Sequence, residues 1–284
     1  MVNCGRTDIA SEAHFLYQAR GAAALPGVRA RSETLEGLPV TAVEIMDAQS
    51  ARALGKPLGH YYTLELPRHF ERGAESFPRA AAALAVLLGR CLPARRPSLT
   101  LLAALGNPDI TPDAVGSLAA SSLLVTRHLK QQSPEAFGAF TATVLCRTGV
   151  LGTTGVESAV QIQTLCRELR PDCVIAIDAL AGADFSRLCR TVQICDTGIA
   201  PGSGVGYDRE ALDRESLGTP VVAVGVPTVI DASLLSQDPA LNALFVTPRS
   251  IDSDVRAAAR LIAYGINLAL HPALQLEDID LLVG

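Results

Sequence analysis

Leu99-Thr-Leu-Leu-Ala-Ala-Leu-Gly-Asn-Pro-Asp-Ile-Thr-Pro-Asp-Ala-Val-Gly116 joins an apolar run to a cluster of carboxylates. The run suits a buried strand and stops at Gly106-Asn107-Pro108, after which Thr111-Pro112-Asp113 opens a helical pattern. In α/β proteins, sites collect where strands end and helices begin. A second apolar strand, Cys173-Val174-Ile175-Ala176-Ile177, ends on another carboxylate, Asp178. The expectation is that Asp113 and Asp178 meet.

Working outward, Ala74–Leu92 has helical spacing and stops at Pro93, Ser98–Leu105 reads as a strand and Pro112–Gln132 as a helix. Ala139–Cys146 is then a strand, Val156–Leu169 a helix, and Cys173–Ile177, Thr191–Ile194 and Pro220–Val224 are strands. Leu244-Phe245-Val246 is strand-like, and Ser250 is placed to cap a helix over Ile251–Leu270. This alternation predicts an α/β fold, a three-layer αβα arrangement around a mixed, largely parallel sheet. Val40–Ile45 and His60–Leu66 are expected to pair as a small N-terminal β flap, and the loosely patterned first forty residues read as a mobile arm. The one boundary drawn is near Ser98, between an N-terminal arm, flap and helix (9–97) and an α/β core (98–284).

With 49% hydrophobic residues, the 284-residue chain can bury a core. It has no apolar run of about 18 residues and no basic segment leading into an apolar one, so neither a membrane span nor a signal peptide is expected. That makes a soluble, intracellular protein the expectation. The seven cysteines stand singly at 4, 91, 146, 166, 173, 189 and 195 with no C-x-x-C pair, and read as reduced core thiols. A net charge of −5 with dispersed arginines gives no footprint for nucleic acid.

Two carboxylates in a partly dry cleft cannot both ionise cheaply, so they share a proton and serve as acid and base together. Each also has an ordinary reading: Asp113 as a first-turn helix residue, Asp178 as a cap or turn residue. In Gly152-Thr153-Thr154-Gly155-Val156-Glu157, Thr154 and Glu157 have capping-box spacing, which competes with a site role for Glu157. Asp196-Thr197-Gly198 resembles the turn of pepsin-like proteases, but the α/β context is wrong for that fold. Pro201-Gly202-Ser203-Gly204-Val205-Gly206 has the flexibility to cradle a phosphate or lie against a substrate backbone, and lacks the Lys of a P-loop. His128 stands alone in its predicted helix, and His14, His60, His69 and His271 show no metal-ligand spacing. No metal and no cofactor are expected.

Together these stretches resemble the germination protease family of spore-forming bacteria. The matching motifs are Arg6-Thr7-Asp8-Ile9-Ala10, Leu105-Gly106-Asn107, Thr111-Pro112-Asp113-Ala114, Thr126-Arg127-His128-Leu129, 152–157, Ile175–Leu180, Asp196–Ile199, 201–206 and Pro227–Ala232. The resemblance implies an atypical aspartic endopeptidase, related in fold to hydrogenase-maturation proteases, with catalytic residues at Asp113 and Asp178. It implies an inactive tetrameric zymogen that removes its own propeptide, here residues 1–8, by cutting between Asp8 and Ile9. The substrates it implies are small acid-soluble spore proteins, degraded in the cytoplasm of the spore core during germination. The motifs also put forward Asn107, His128, Glu157, Asp196, Gly202, Ser203 and Gly204 as residues lining the site. Asp109 matches no motif position and reads as a solvated turn residue. Compared with the family, the propeptide is short and a long insertion between Ala232 and Val246 is missing. Two alternatives accompany this reading: a metallopeptidase using the same carboxylates with Glu157 or His128, and a non-catalytic homologue that binds spore proteins.

Overall fold

The chain's strands are β1 (Val28–Leu35), β2 (Leu38–Ile45), β3 (Gly59–Glu65), β4 (Leu99–Leu105), β5 (Ala142–Gly149), β6 (Cys173–Gly182), β7 (Thr191–Cys195), β8 (Val221–Asp231) and β9 (Phe245–Val246). In the computed structural model, which describes residues 7–19, 21, 24–206, 209–236 and 238–283, they form one mixed sheet. Its order is β1-β2-β3-β7-β8-β6-β4-β5, with β9 on β8. The four strands β5-β4-β6-β8 are parallel, and β1, β2, β3 and β7 extend the sheet antiparallel beyond β8. Parallel strands are covered on both faces, which is why β4, β6 and β8 read as continuous apolar runs.

The helices are α1 (Ala10–Ala19), α2 (Ala48–Leu54), α3 (Phe77–Cys91), α4 (Val115–Ala119), α5 (Arg127–Gln132), α6 (Pro134–Phe137), α7 (Leu151–Thr154), α8 (Ser158–Leu169), α9 (Arg214–Leu217), α10 (Ile251–Leu270) and α11 (Leu276–Val283). Side chains alternate across a strand. Leu102, Ile175, Ile177, Val222 and Val224 therefore face α3, α4 and α10, in one core with Leu84, Val115 and Ile262. Leu101, Ala103, Leu105, Val174 and Ala176 face the other way, toward Ala159, Ile162 and Cys166 of α8. On that second side, α1 and α2 cover Val43, Tyr61 and Ala223. Asp178 shares the parity of Val174 and Ala176, so it too faces the side of α1 and α8.

The antiparallel pair expected over 40–45 and 60–66 forms and is annexed to the central sheet through β7, by five register pairs from Tyr61↔Cys195 to Glu65↔Thr191. Three expectations need correction. The mobile arm is ordered across its described part: Ile9 and Ala10 are fully buried, and 28–35 form β1. β1 is an edge strand with most side chains in solvent, so it shows little apolar alternation. The single helix expected over Pro112–Gln132 is broken. Asn267 of α10 accepts from the Leu124 N–H and donates to the Ser122 carbonyl, and Thr126 bonds to the Thr141 carbonyl just before β5 and to Thr143 of β5. These buried partners take the hydrogen bonds a helix would have used. β6 and β8 also run further than expected, because they go on pairing with each other to Gly182 and Ile230. The six described cysteines are free thiols, and five are buried. Among the described residues no helix is long and apolar enough to cross a membrane.

Candidate active site

The register explains how the two acids come together. β4 pairs with β6 only as far as Ala104↔Ile177, so Asp178 is the first residue of β6 past its neighbour's last pair. It remains paired on the other side, opposite Gly225 of β8. β4 then ends, and the chain turns at Gly106 with φ +91°; a Cβ there would stand 2.0 Å from the Asp113 carbonyl oxygen, so only glycine fits. A 3-10 turn over Thr111–Asp113 follows, pinned by the Thr228 hydroxyl donating to the Pro112 carbonyl at 2.7 Å. The Asp113 carboxylate accepts the Asn107 N–H at 2.8 Å, and the Asp178 carboxylate accepts the Ala179 N–H at 2.9 Å.

Both carboxylates line a cavity of about 370 Å³, whose wall includes the apolar Ile110, Val150 and Phe245. Burial pushes the Asp178 carboxyl well above the usual carboxylate range, and the nearby Asp113 charge pushes it further; the Ala179 N–H and Arg209 pull the other way. Burial also raises Asp113, opposed by the Asn107 N–H and by Arg209. Arg209 lines the cavity as well. Two raised acids in one cleft are suited to hold one proton between them.

A third carboxylate enters from the chain's own N-terminal segment. Asp8 lines the same cavity. Its N–H donates to the Ala181 carbonyl at 2.8 Å, and its carboxylate accepts the Ala181 N–H at 2.8 Å and the Ser203 hydroxyl at 3.0 Å. The Asp8 carbonyl accepts from Gln193 Nε2 at 2.6 Å, while Gln193 Oε1 accepts the Ala10 N–H at 2.6 Å. One carboxamide thus brackets Ile9. Further along, Glu12 accepts from the Thr7 hydroxyl at 2.5 Å and the Ala183 N–H at 2.7 Å, and burial raises its pKa.

Of the residues put forward from sequence, Asn107, Gly202, Ser203 and Gly204 gather here: Asn107 at Asp113, Gly202 in the cavity wall, Ser203 and Gly204 against Asp8. Asp109 is exposed in its turn. His128 is exposed and lines a separate cleft with Phe137 and Phe140, because the broken helix carries it away. Asp196 pairs with His60 on the antiparallel part of the sheet at 2.7 Å. Glu157 caps α8 by its backbone only, and the capping box expected with Thr154 is absent, since Thr154 ends the short α7 and bonds to Val150 and Val156. Gln193 and Arg209, neither singled out from sequence, are the additions; nothing in their local patterns marks them. Among the described residues no three His, Cys, Asp or Glu side chains are grouped so as to hold a metal ion.

These features define a class: a three-layer α/β protein whose candidate site is a cavity holding a buried carboxylate, Asp178, and a half-buried one, Asp113, beside parallel strands. Residues 7–242 match the model of the germination protease family, and the chain belongs to that family. It is 38% identical to a germination protease of Caldanaerobacter subterraneus over 98% of both chains, and 36% identical to one of Clostridium perfringens over 97% of this chain and 98% of the other. It is 39% identical to one of a Geobacillus strain over 82% of this chain and 65% of the other. The alignment with the Caldanaerobacter protein spans 319 positions, more than the 284 residues here, so that relative carries residues this chain lacks.

Proposed function

We propose that the chain is a self-processing endopeptidase of spore germination that cuts after an acidic residue, with Asp113 and Asp178 as its acid–base pair and the Asp8–Ile9 bond as its first substrate. The observation that carries this reading is Asp8 itself, lodged in the cavity of the pair with its carbonyl held by a side chain. Asp178, 4% exposed and raised by both burial and its neighbour, holds the shared proton, and Asp113 is the ionised partner. Asp113 takes a proton from water as the water oxygen adds to the peptide carbonyl, and Asp178 gives its proton to the carbonyl oxygen. Collapse of the tetrahedral adduct returns that proton to Asp178, and the proton taken up by Asp113 passes to the departing nitrogen. A metal-dependent version would need Glu157 or His128 in the cavity, and neither lines it. By the family resemblance, the substrates in trans are small acid-soluble spore proteins, the assembly is a tetramer, and the place of action is the cytoplasm of the spore core.

The test uses the full chain with Asp113→Asn and Asp178→Asn made separately. Mass spectrometry follows appearance of a chain beginning at Ile9, and a small acid-soluble spore protein is supplied as substrate. Each variant should lose activity by about a hundredfold or more, the usual worth of a general acid or base. Full activity in either variant would remove the pair from the mechanism, and an intact parent chain that cuts neither itself nor the spore protein would favour a binding role.

A further inference from the structure

The Asp8 carboxylate is satisfied at both oxygens by groups that belong to no catalytic step. Oδ2 accepts the Ala181 N–H at 2.8 Å and Oδ1 accepts the Ser203 hydroxyl at 3.0 Å. β6 loses its β4 neighbour after Ile177, and Ala181 exchanges both its N–H and its carbonyl with Asp8 instead. Gly204 packs against the same carboxylate so closely that a Cβ would stand 2.2 Å from Oδ2. On the far side of Asp8 lies a second cavity of about 210 Å³, lined by Lys56, Tyr61 and Ser203. Burial lowers the Lys56 ammonium, and the Asp8 charge is foremost among those that raise it again. Two directed donors, a side chain removed to admit the carboxylate and the Lys56 amine lining the cavity behind it make a receptor for an acid.

We propose that the Ala181 amide, Ser203, Gly204 and Lys56 form the subsite that selects the acidic residue before the cut, occupied by Asp8 in the uncut chain and by the substrate's own acid afterwards. This assignment rests on the proposed peptidase reading. It also accounts for the glycine-rich loop 201–206, which brings the Ser203 hydroxyl and the bare Gly204 backbone to a carboxylate rather than to a phosphate.

The experiment compares two peptides, Thr-Asp-Ile-Ala and Thr-Asn-Ile-Ala in otherwise identical flanks, as substrates of the full chain, Ser203→Ala, Lys56→Met and Lys56→Arg. The parent should prefer Asp by at least about tenfold in kcat/KM, and Ser203→Ala and Lys56→Met should each cut that preference by about tenfold, the worth of a charge-assisted contact. Lys56→Arg should restore it. An unchanged Asp/Asn ratio in both Ser203→Ala and Lys56→Met, with Asp peptide still cut, would overturn the subsite and leave the peptidase standing. A parent that cuts neither peptide would overturn the peptidase. A readout independent of catalysis is hydrogen exchange at the Ala181 amide of the uncut chain: Asp8→Ala should speed it at least about tenfold, and no change would overturn the subsite whatever the peptides do.

Discussion

Gln193→Leu keeps the size of the side chain and removes both hydrogen bonds that bracket Ile9. Gln193 is only 6% exposed and Ala10 is fully buried, so water does not replace what is lost. The Asp8 carbonyl loses its 2.6 Å donor and the Ala10 N–H its 2.6 Å acceptor. Each buried group left unpaired costs about 1–3 kcal/mol, or about 2–6 kcal/mol for the two. Against this stands the burial of Ile9, which contributes about 1.5–3 kcal/mol. The two terms are comparable, so the segment around the junction opens while α1 stays held by Glu12 on Ala183 and by Arg187 on Ser11. The effect is local unfolding, not loss of the fold. Hydrogen exchange at the Ala10 amide should accelerate by about thirtyfold or more, the equivalent of about 2 kcal/mol, and release of residues 1–8 should slow because the bond is no longer presented in one place. Gln193→Glu, assayed at a pH high enough to ionise it, separates the halves: it keeps an acceptor for Ala10 but has no donor for the Asp8 carbonyl, so exchange at Ala10 should stay near the parental rate while cleavage falls. Parental exchange and parental cleavage in Gln193→Leu would refute the clamp.

Two further outcomes follow from the carboxylate pair. Asp178 is raised above its ordinary value of 3.8, so the folded chain resists an ionisation that the unfolded chain undergoes freely; stability is lost as pH rises from that ordinary value toward the raised one. Asp178→Asn removes this dependence, and its urea midpoint should gain on the parent's as pH rises above 3.8; a constant difference would show that the carboxyl is not raised. Gly106→Ala forces a side chain onto a residue at φ +91° and into the Asp113 backbone. It should cost about 1–3 kcal/mol by urea denaturation and lower kcat by displacing Asp113, and parental values of both would refute the close approach.

The fold was legible where burial is two-sided. β4, β6 and β8 carry unbroken apolar runs, and α3 and α10 carry apolar stripes, so their existence followed from composition and period alone. Two kinds of element escaped. β1 is held by main-chain pairing to β2 along its whole length but buries little, so its arginines and serine read as loop. The segment 120–126 has helical composition and is denied a helix by Asn267 and Thr143, residues far off in sequence whose side chains compete for its amides. A local pattern cannot report a hydrogen bond that arrives from another element.

The same distinction divides the site. Asp113 and Asp178 were visible because each follows an apolar run that must be buried, and the crossover between parallel strands returns both to one end of those runs. Gln193 was not, because its role depends on register. It stands opposite Gly225 on β8, and Gly225 stands opposite Asp178 on β6, so Gln193 and Asp178 share one row across the sheet with a bare glycine between them. At the ordinary spacing of strands that row places their backbones about 10 Å apart, with no side chain on the central strand between them. A polar side chain on β7 and an acid on β6 acquire a common neighbourhood only when the order β7-β8-β6 is known, and that order is not the order of the chain. His128 and Glu157 show the converse: motif position put them near the site, but neither lines the cavity, and the break before α5 carries His128 to a separate cleft.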